Sequence, residues 1–270
     1  MDLFRPEYES LCASSPDWGK IALLPWDEKV FGFPVADFQL GPNPPRFQDL
    51  QSFASALEDF SARTKAELVS THAPGHNMSV TAFLERARFS LVEVSLVATL
   101  PRIKPGSLPP RRMTLRKALP VDRAGICDIA SRAFQFGRYH TDPQFPRQLA
   151  NERYVSWIGN ALGLLNPHNL VFVLGRPGEV LGFMDVVICD SHADLRLAAV
   201  DPNNNPGIAG FSLYAETLRA LLDQGVKSVS AKLAAANTPA MNIFSMLGFH
   251  FSNAETVLHW HASRPSNLRS

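Results

Sequence analysis

Leu197-Ala198-Ala199-Val200-Asp201-Pro202, followed by Asn203-Asn204-Asn205-Pro206-Gly207-Ile208-Ala209-Gly210, is the stretch whose reading decides the fold. Its first six residues form a short apolar run that stops at a proline, as a buried strand does. The next eight read as a tight polar turn. Leu213, Leu218, Leu221 and Leu222 then recur at helical spacing up to Gly225, a helix stop. A second strand over 228–233 leads to Asn237-Thr238-Pro239-Ala240, and a short helix closes at Leu247-Gly248-Phe249. A strand that feeds a turn and then a helix N-terminus presents free backbone N–H groups and the positive end of a dipole. That arrangement favours phosphate or pyrophosphate.

The rest of the chain sets bounds on what such a unit serves. At 270 residues and a formal net charge of +1 it has room for one or two domains with a sizeable core. The charge gives no indication of nucleic acid or an acidic membrane as partner, and Pro109-Pro110-Arg111-Arg112 is too short to count as a basic run. The segment Met1-Asp2-Leu3-Phe4-Arg5-Pro6-Glu7 lacks the apolar core of a signal peptide, and no apolar run is long enough to span a bilayer. Cys12, Cys127 and Cys189 are widely spaced and unpaired in pattern, which suits thiols in a reducing cytoplasm and gives no metal-ligand set.

A Pro-rich stretch, 101–112, divides the chain as an extended linker. Residues 1–100 read as a smaller α/β unit. Strands over 21–24 and 35–40 flank the aromatic segment Trp26-Asp27-Glu28-Lys29-Val30-Phe31-Gly32-Phe33-Pro34. A helix over 47–63, a strand over 67–71, a helix over 79–87 and a longer strand over 89–100 follow. Residues 113–264 begin with a strand over 113–117 and a helix over 121–134. Next come an aperiodic polar and aromatic segment, 136–143, and a long helix over 147–162. A hairpin over 170–174 and 180–188 precedes the opening stretch, and a last strand lies near 255–261.

The order strand, helix, helix, strand, strand, strand, helix, strand, helix, strand resembles the GNAT superfamily of acyl-CoA-dependent N-acyltransferases. Val200-Asp201-Pro202 matches the family's Val-x-Pro. Gly207-Ile208-Ala209 matches the Gly-x-Gly/Ala part of its pyrophosphate turn, and Asn237-Thr238-Pro239-Ala240 and Gly248-Phe249 match its later Asn-x-x-Ala and Gly-Phe. The fold implied is α/β (α+β): a mixed central sheet flanked by helices, preceded by an incomplete GNAT-like unit. Ala87-Arg88-Phe89 imitates the Gly-Phe close of a GNAT half, so the N-terminal unit reads as a truncated duplicate. Three positions depart from the family pattern. Asn204 stands where Gln or Arg is usual, Pro206 lacks an N–H, and Phe244 occupies the place of a tyrosine that protonates the departing thiolate.

Over nearly its whole length the chain is similar to the dTDP-fucosamine acetyltransferase group of sugar-nucleotide N-acetyltransferases. Pro25-Trp26-Asp27, Phe31-Gly32-Phe33-Pro34, Ala133-Phe134-Gln135-Phe136-Gly137-Arg138-Tyr139-His140 and Tyr154-Val155-Ser156-Trp157-Ile158 carry that likeness. The resemblance implies acetyl-CoA, or another acyl-CoA, as co-substrate without a metal. It implies a small-molecule amine acceptor, namely the amine of a dTDP-linked 4-amino-4,6-dideoxyhexose, and a homodimer paired through its sheets.

Such chemistry needs a neutral amine, a polarised thioester carbonyl and a proton for sulfur. The backbone of Ala198, Ala199 and Val200 is expected to position the acyl arm. Asn205, Gly207, Ile208, Ala209 and Gly210 are expected to take the pyrophosphate, with Asn237 and Phe244 completing the cofactor site. Candidates for the acid or base are His140, Tyr139 and Ser245. His140 titrates near operating pH when unperturbed, and is otherwise an ordinary solvated loop histidine. Arg138, Asp142 and Asp185 are the acceptor-binding candidates, a guanidinium being suited to phosphate. His250 is a further candidate. His259 and His261 share one face of the last strand, where a surface role outweighs metal binding. Trp26, Phe31 and Phe33 read as core before stacking platform. Two other functions remain open on these residues: a degenerate GNAT-fold subunit that binds acyl-CoA or a partner, and a GNAT-fold enzyme of different thioester chemistry.

Overall fold

In the computed structural model, which describes residues 6–163 and 168–262, the chain opens with β1 (Glu9–Ser10), β2 (Gly19–Leu23), α1 (Pro25–Phe31), β3 (Val35–Leu40), α2 (Leu50–Thr64), β4 (Leu68–Pro74), α3 (Met78–Arg86) and β5 (Ser90–Leu100). It continues through β6 (Leu115–Lys117), α4 (Arg123–Ala133), α5 (Arg138–Thr141), α6 (Arg147–Gly163), β7 (Asn169–Leu174), β8 (Gly182–Cys189) and β9 (His192–Val200). The last elements are α7 (Pro206–Asp223), β10 (Ser228–Ala234), α8 (Thr238–Met246) and β11 (His250–His261). The sequence boundary at 264 and most of the N-terminal segment 1–7 lie outside the described residues. None of the helices, among the described residues, is long and apolar enough to cross a membrane.

The division expected at 101–112 is not where the structure divides. One compact unit runs up to Val94 and resumes at Ala254; the other is Ser95–Asn253. The reason is strand continuity. β5 runs through Val94 unbroken, and its remainder pairs with β10, from Ser95↔Ala234 to Leu100↔Val229. The C-terminal part of β11 instead pairs with β4, from Glu255↔Pro74 to His261↔Leu68.

In the first unit the strand order is β1-β2-β3-β4-β11, with β3 and β4 parallel and the other pairs antiparallel. Helix α2 buries Phe53, Leu57 and Phe60, one apolar stripe at helical spacing. The ring of Phe53 meets Phe38 at 5.5 Å and Phe83 at 5.2 Å, both edge-on. The aromatic segment after β2 is helical over Pro25–Phe31. Pro25 starts it where its missing N–H costs nothing, and Gly32 ends it in the left-handed region at φ 76°.

In the second unit the order is β5-β10-β9-β8-β7-β6, with β9 and β10 the parallel pair. Leu213, Leu218 and Leu221 of α7 and Phe244 of α8 pack on Leu195 and Val229 on one face of this sheet. Ile126 and Ile129 of α4 and Ile158 of α6 pack on Val171, Phe183 and Leu197 on the other. Buried Asp122 ties the start of α4 to β6: Arg116 grips both its oxygens, at 2.6 and 2.9 Å, and holds its carboxyl down to about 2.

Two further boundaries differ. β9 begins at His192, five residues before the apolar run, because its first half alternates charged and apolar residues. The expected turn over 203–210 ends at Asn205; Pro206 opens α7, so Gly207, Ile208, Ala209 and Gly210 form that helix's first turn.

Candidate active site

The site is built on an interruption of the second sheet. β9 and β10 pair from His192↔Ser228 to Leu195↔Ala231 and no further, although β9 runs on to Val200 and β10 to Ala234. Beyond Leu195 the two parallel strands therefore part. A β-bulge lies at the same place: Val186 of β8 faces Leu195 while Asp185 faces Leu197, which leaves Arg196 as the extra residue. The bulge reverses the face on which β9 side chains emerge. Leu195 packs toward α7, and Leu197, two residues on, packs toward α4 and α6. A regular strand would put both on one face. Gly182 lets β8 and β9 close up beyond the bulge, since a Cβ there would lie 2.8 Å from Val200 Cγ1 and 2.9 Å from the Ala199 carbonyl oxygen.

Ala198, Ala199 and Val200 are half-buried on the parted segment, where the sequence places the acyl arm. The chain then turns through Asp201, whose carboxylate accepts the Asn203 N–H at 3.0 Å and the Arg132 guanidinium at 2.8 Å; both hold its carboxyl below the usual range. Asn205 takes a left-handed conformation, φ 46°, and its side chain does not cap α7. The exposed first turn therefore keeps the backbone N–H groups of Gly207 and Ile208 for an anion. A Cβ on Gly207 would meet nothing within 4 Å, whereas one on Gly210 would press on Ile243 at 3.2 Å. Gly210 thus spaces α7 from α8, and the open room lies over Gly207. Splay, turn and uncapped helix form one continuous track with the residue types an acyl arm and a pyrophosphate require.

Other expected residues are redirected. Asn237 caps α8, its Oδ1 accepting the Ala240 N–H at 3.2 Å. Phe244 is 1% exposed, clasped between Tyr214 at 4.9 Å and Phe249 at 4.7 Å, so it belongs to the core and not to a ligand surface. Ser245 is exposed in the last turn of α8, about 12 Å of helix from Asn237 at 1.5 Å per residue. Tyr214 of α7, outside the final strand–helix unit, is the tyrosine that the fold brings beside Phe244. Burial pushes its phenol up to about 12, which makes it a reluctant acid.

On the α4/α6 side the structure assembles a polar and aromatic wall. Asp185 is fully buried; Trp157 Nε1 donates to it at 3.2 Å and Asn169 Nδ2 at 3.0 Å. Burial raises its carboxyl in spite of those donors and of Arg196, so desolvation wins. Two guanidiniums lie over the Trp157 ring, Arg153 at 5.4 Å and Arg196 at 5.3 Å. Tyr139, expected as catalytic, is 1% exposed beneath Arg138 and Arg153 at 4.9 and 5.1 Å, a packing position closed to a substrate. Asp142 is buried too, and accepts the Gln144 N–H at 2.9 Å.

His140 is not a solvated loop residue. Its ring stacks on Tyr154 at 5.5 Å, which stacks on Phe134 at 4.0 Å, and its Nε2 lies 2.8 Å from Asn151 Oδ1. Burial lowers its pKa, so the ring is neutral at neutral pH, and its buried Nδ1 makes no hydrogen bond among the described residues. His259, expected at the surface, is fully buried on β11. Arg153, Trp157, Asn169 and Arg196 were not predicted as site residues, because only the fold brings Trp157, Asn169 and Arg196 to Asp185 and sets Arg153 over the Trp157 ring. Two clefts of about 480 and 470 Å³ lie away from the splay, the first between Pro42 and Phe83, the second between Arg111 and Asp223.

No family model matches the chain. Spore coat polysaccharide biosynthesis protein SpsD of Bacillus subtilis is 30% identical over 130 residues, covering 48% of this chain and 44% of that protein; the match spans less than half of the relative's length. A GCN5-related N-acetyltransferase from Sphaerobacter thermophilus superposes with a TM-score of 0.62 at 17% identity, covering 93% of this chain and 79% of that one. A tandem GNAT protein from the clavulanic acid biosynthesis pathway superposes at 0.59 and 14% identity, covering 92% and 80%. The chain has the GNAT fold.

Proposed function

We propose that this GNAT-fold chain is an N-acyltransferase that moves the acyl group of acetyl-CoA, or another acyl-CoA, to the amine of a small acceptor, and that the acceptor is an amino-sugar nucleotide. The observation that carries the reading is the parting of β9 and β10 beyond Leu195, which leads directly into the uncapped first turn of α7. Peptide groups of Ala198, Ala199 and Val200 flank the acyl arm, and the N–H groups of Gly207 and Ile208 take the pyrophosphate. The co-substrate supplies an activated acyl carbon. The protein aligns the amine with it and offers fixed dipoles in a site shielded by Trp157 and the α6 wall.

The sugar-nucleotide part of the reading is supported by Arg153 and Arg196, two guanidiniums that face the same indole beside the splay, and by a relative named for polysaccharide biosynthesis. Phe244 supplies no acid and Tyr214 gives up its proton reluctantly, so protonation of the departing thiolate falls to water. His140, neutral and with a bare ring nitrogen, is the retained base candidate. Calorimetric titration with acetyl-CoA is the direct test: micromolar binding that is lost in Gly207→Glu is the expected outcome, followed by acetylation of dTDP-4-amino-4,6-dideoxygalactose. Absence of heat at millimolar acetyl-CoA would sink the reading.

A further inference from the structure

A hydrogen-bonded chain of four side chains lies along the paired part of the β9–β10 seam. His192 Nδ1 is 2.8 Å from Ser228 Oγ, and His192 Nε2 is 2.9 Å from Ser230 Oγ. Ser230 Oγ in turn donates to Asp194 Oδ1 at 3.3 Å. Strand alternation puts all four on the face opposite Ala193, Leu195, Val229 and Ala231, which are buried under α7. His192 and both serines are half-buried, and Asp194 is exposed.

Counting donors fixes the direction of the chain. An ionised carboxylate only accepts, so Ser230 spends its single proton on Asp194. Ser230 must then accept from His192 Nε2–H. A neutral imidazole has one N–H, which leaves Nδ1 to accept the proton of Ser228. Every proton in the chain is thereby engaged. What the seam offers outward is lone pairs only: two on Ser228, one on Ser230, and those of the Asp194 carboxylate. A surface that only accepts recognises a group that only donates, and a primary ammonium is such a group.

We propose that the β9–β10 seam is the docking subsite for the acceptor's amino group, held as an ammonium by Asp194, Ser230 and Ser228, with His192 setting their polarity. This deepens the N-acyltransferase reading and rests on it. Asp194 and Ser230 immediately precede Leu195 and Ala231, the last paired residues, so a nitrogen held there lies beside the point where the strands part.

The test is NMR of the full chain labelled with ¹⁵N-histidine, with His192→Gln to assign the signals, glucosamine as the probe and N-acetylglucosamine as its uncharged control. The expected result is a resting ring protonated on Nε2 and shifted by glucosamine alone. Asp194→Asn should weaken the response by about 10- to 100-fold, the worth of a hydrogen bond to a charged group. Should that variant fail to fold, Ser230→Ala must instead flip the tautomer and reduce the response. A ring protonated on Nδ1 at rest, an equal response to both sugars, or no response to either overturns the proposal. Acetyl-CoA titration of the same samples separates the two ideas. Co-substrate binding without an ammonium response sinks only the seam; an ammonium response without co-substrate binding sinks only acyl transfer.

Discussion

The module β3–α2–β4–α3 of the first unit and the module β9–α7–β10–α8 of the second are built alike and differ where a ligand would enter. Each has a parallel strand pair. Each second helix is capped by an asparagine, Asn77 or Asn237, whose side chain accepts an N–H three residues on. Each closes through a residue at positive φ, Arg88 at 71° or Gly248 at 82°, followed by a phenylalanine that donates back into the helix. Yet β3 stays zipped to β4 from Val35 to Gln39, while β9 leaves β10 after Leu195. The first module also enters α2 through a proline-rich loop and a single tight turn, Phe47–Asp49, where the second enters α7 directly behind Asn205. The common scaffold thus supplies stability. The proposed site lies in the copy whose parallel pair parts early beside a bulge.

Breaking the comparison at the helix starts should produce the largest effect. Gly207→Glu should weaken acetyl-CoA binding by roughly 100-fold or more, the several kcal/mol of a carboxylate set against phosphates. Gln51→Glu, at the matching place in α2, should leave it unchanged; calorimetry on both variants decides. The second unit alone is clamped by Arg116 and Asp122. Asp122→Asn should cost about 3 kcal/mol in denaturant unfolding, since it strands a half-buried guanidinium and two backbone donors. Because the folded carboxyl titrates near 2, below its unfolded value near 4, the wild-type contribution is present above about pH 4 and lost as pH falls through 2. An acid titration of unfolding free energy should show that loss, amounting to about 2 kcal/mol, and the variant should lack it.

The two asparagine caps sharpen the comparison. Asn77→Ala and Asn237→Ala should each cost about 1 kcal/mol of stability, and unequal losses would argue against equivalent roles. The closing residues give opposite signs. Gly248→Ala should destabilise by about 1 kcal/mol, whereas Arg88→Gly should stabilise by a few tenths, because a side chain at positive φ is strained. The Arg88–Glu58 pair that it removes, 3.7 Å apart with both partners mostly exposed, is worth little. Thermal melts of the two variants displaced in the same direction would contradict the account.

Much of this duplication is legible in the sequence, because helices α2, α4, α6 and α7 carry their apolar residues at helical spacing. The Asn-x-x-Ala and Gly-Phe signals fall at true helix ends. The N-terminal half of β9 is hidden in the sequence because His192 and Asp194 alternate with Ala193 and Leu195, which leaves no continuous apolar run. The aromatic segment 26–34 carries no assigned secondary structure from sequence, although Pro25 and Gly32 are the start and stop signals of helix α1. The site was harder to see. The Ser–His–Ser–Asp chain joins residues separated by 36 and 38 positions, and only the parallel register brings them together. Tyr139 entered the candidates for its phenol and Phe244 for its place in the family pattern, and the burial of both is decided by packing that no local pattern encodes.

The path of the chain has one more consequence. The first unit takes its last strand from residues after Ala254, so a ribosome that has made β1 to β4 has not yet supplied the strand that covers β4. At ordinary elongation rates that edge waits roughly 10 to 40 s before its partner emerges. During the wait Leu68 to Pro74 is a naked, largely apolar strand, the kind of segment that chaperones hold. Nascent chains stalled before β11 should therefore be captured by a holdase and released only when β11 clears the exit tunnel.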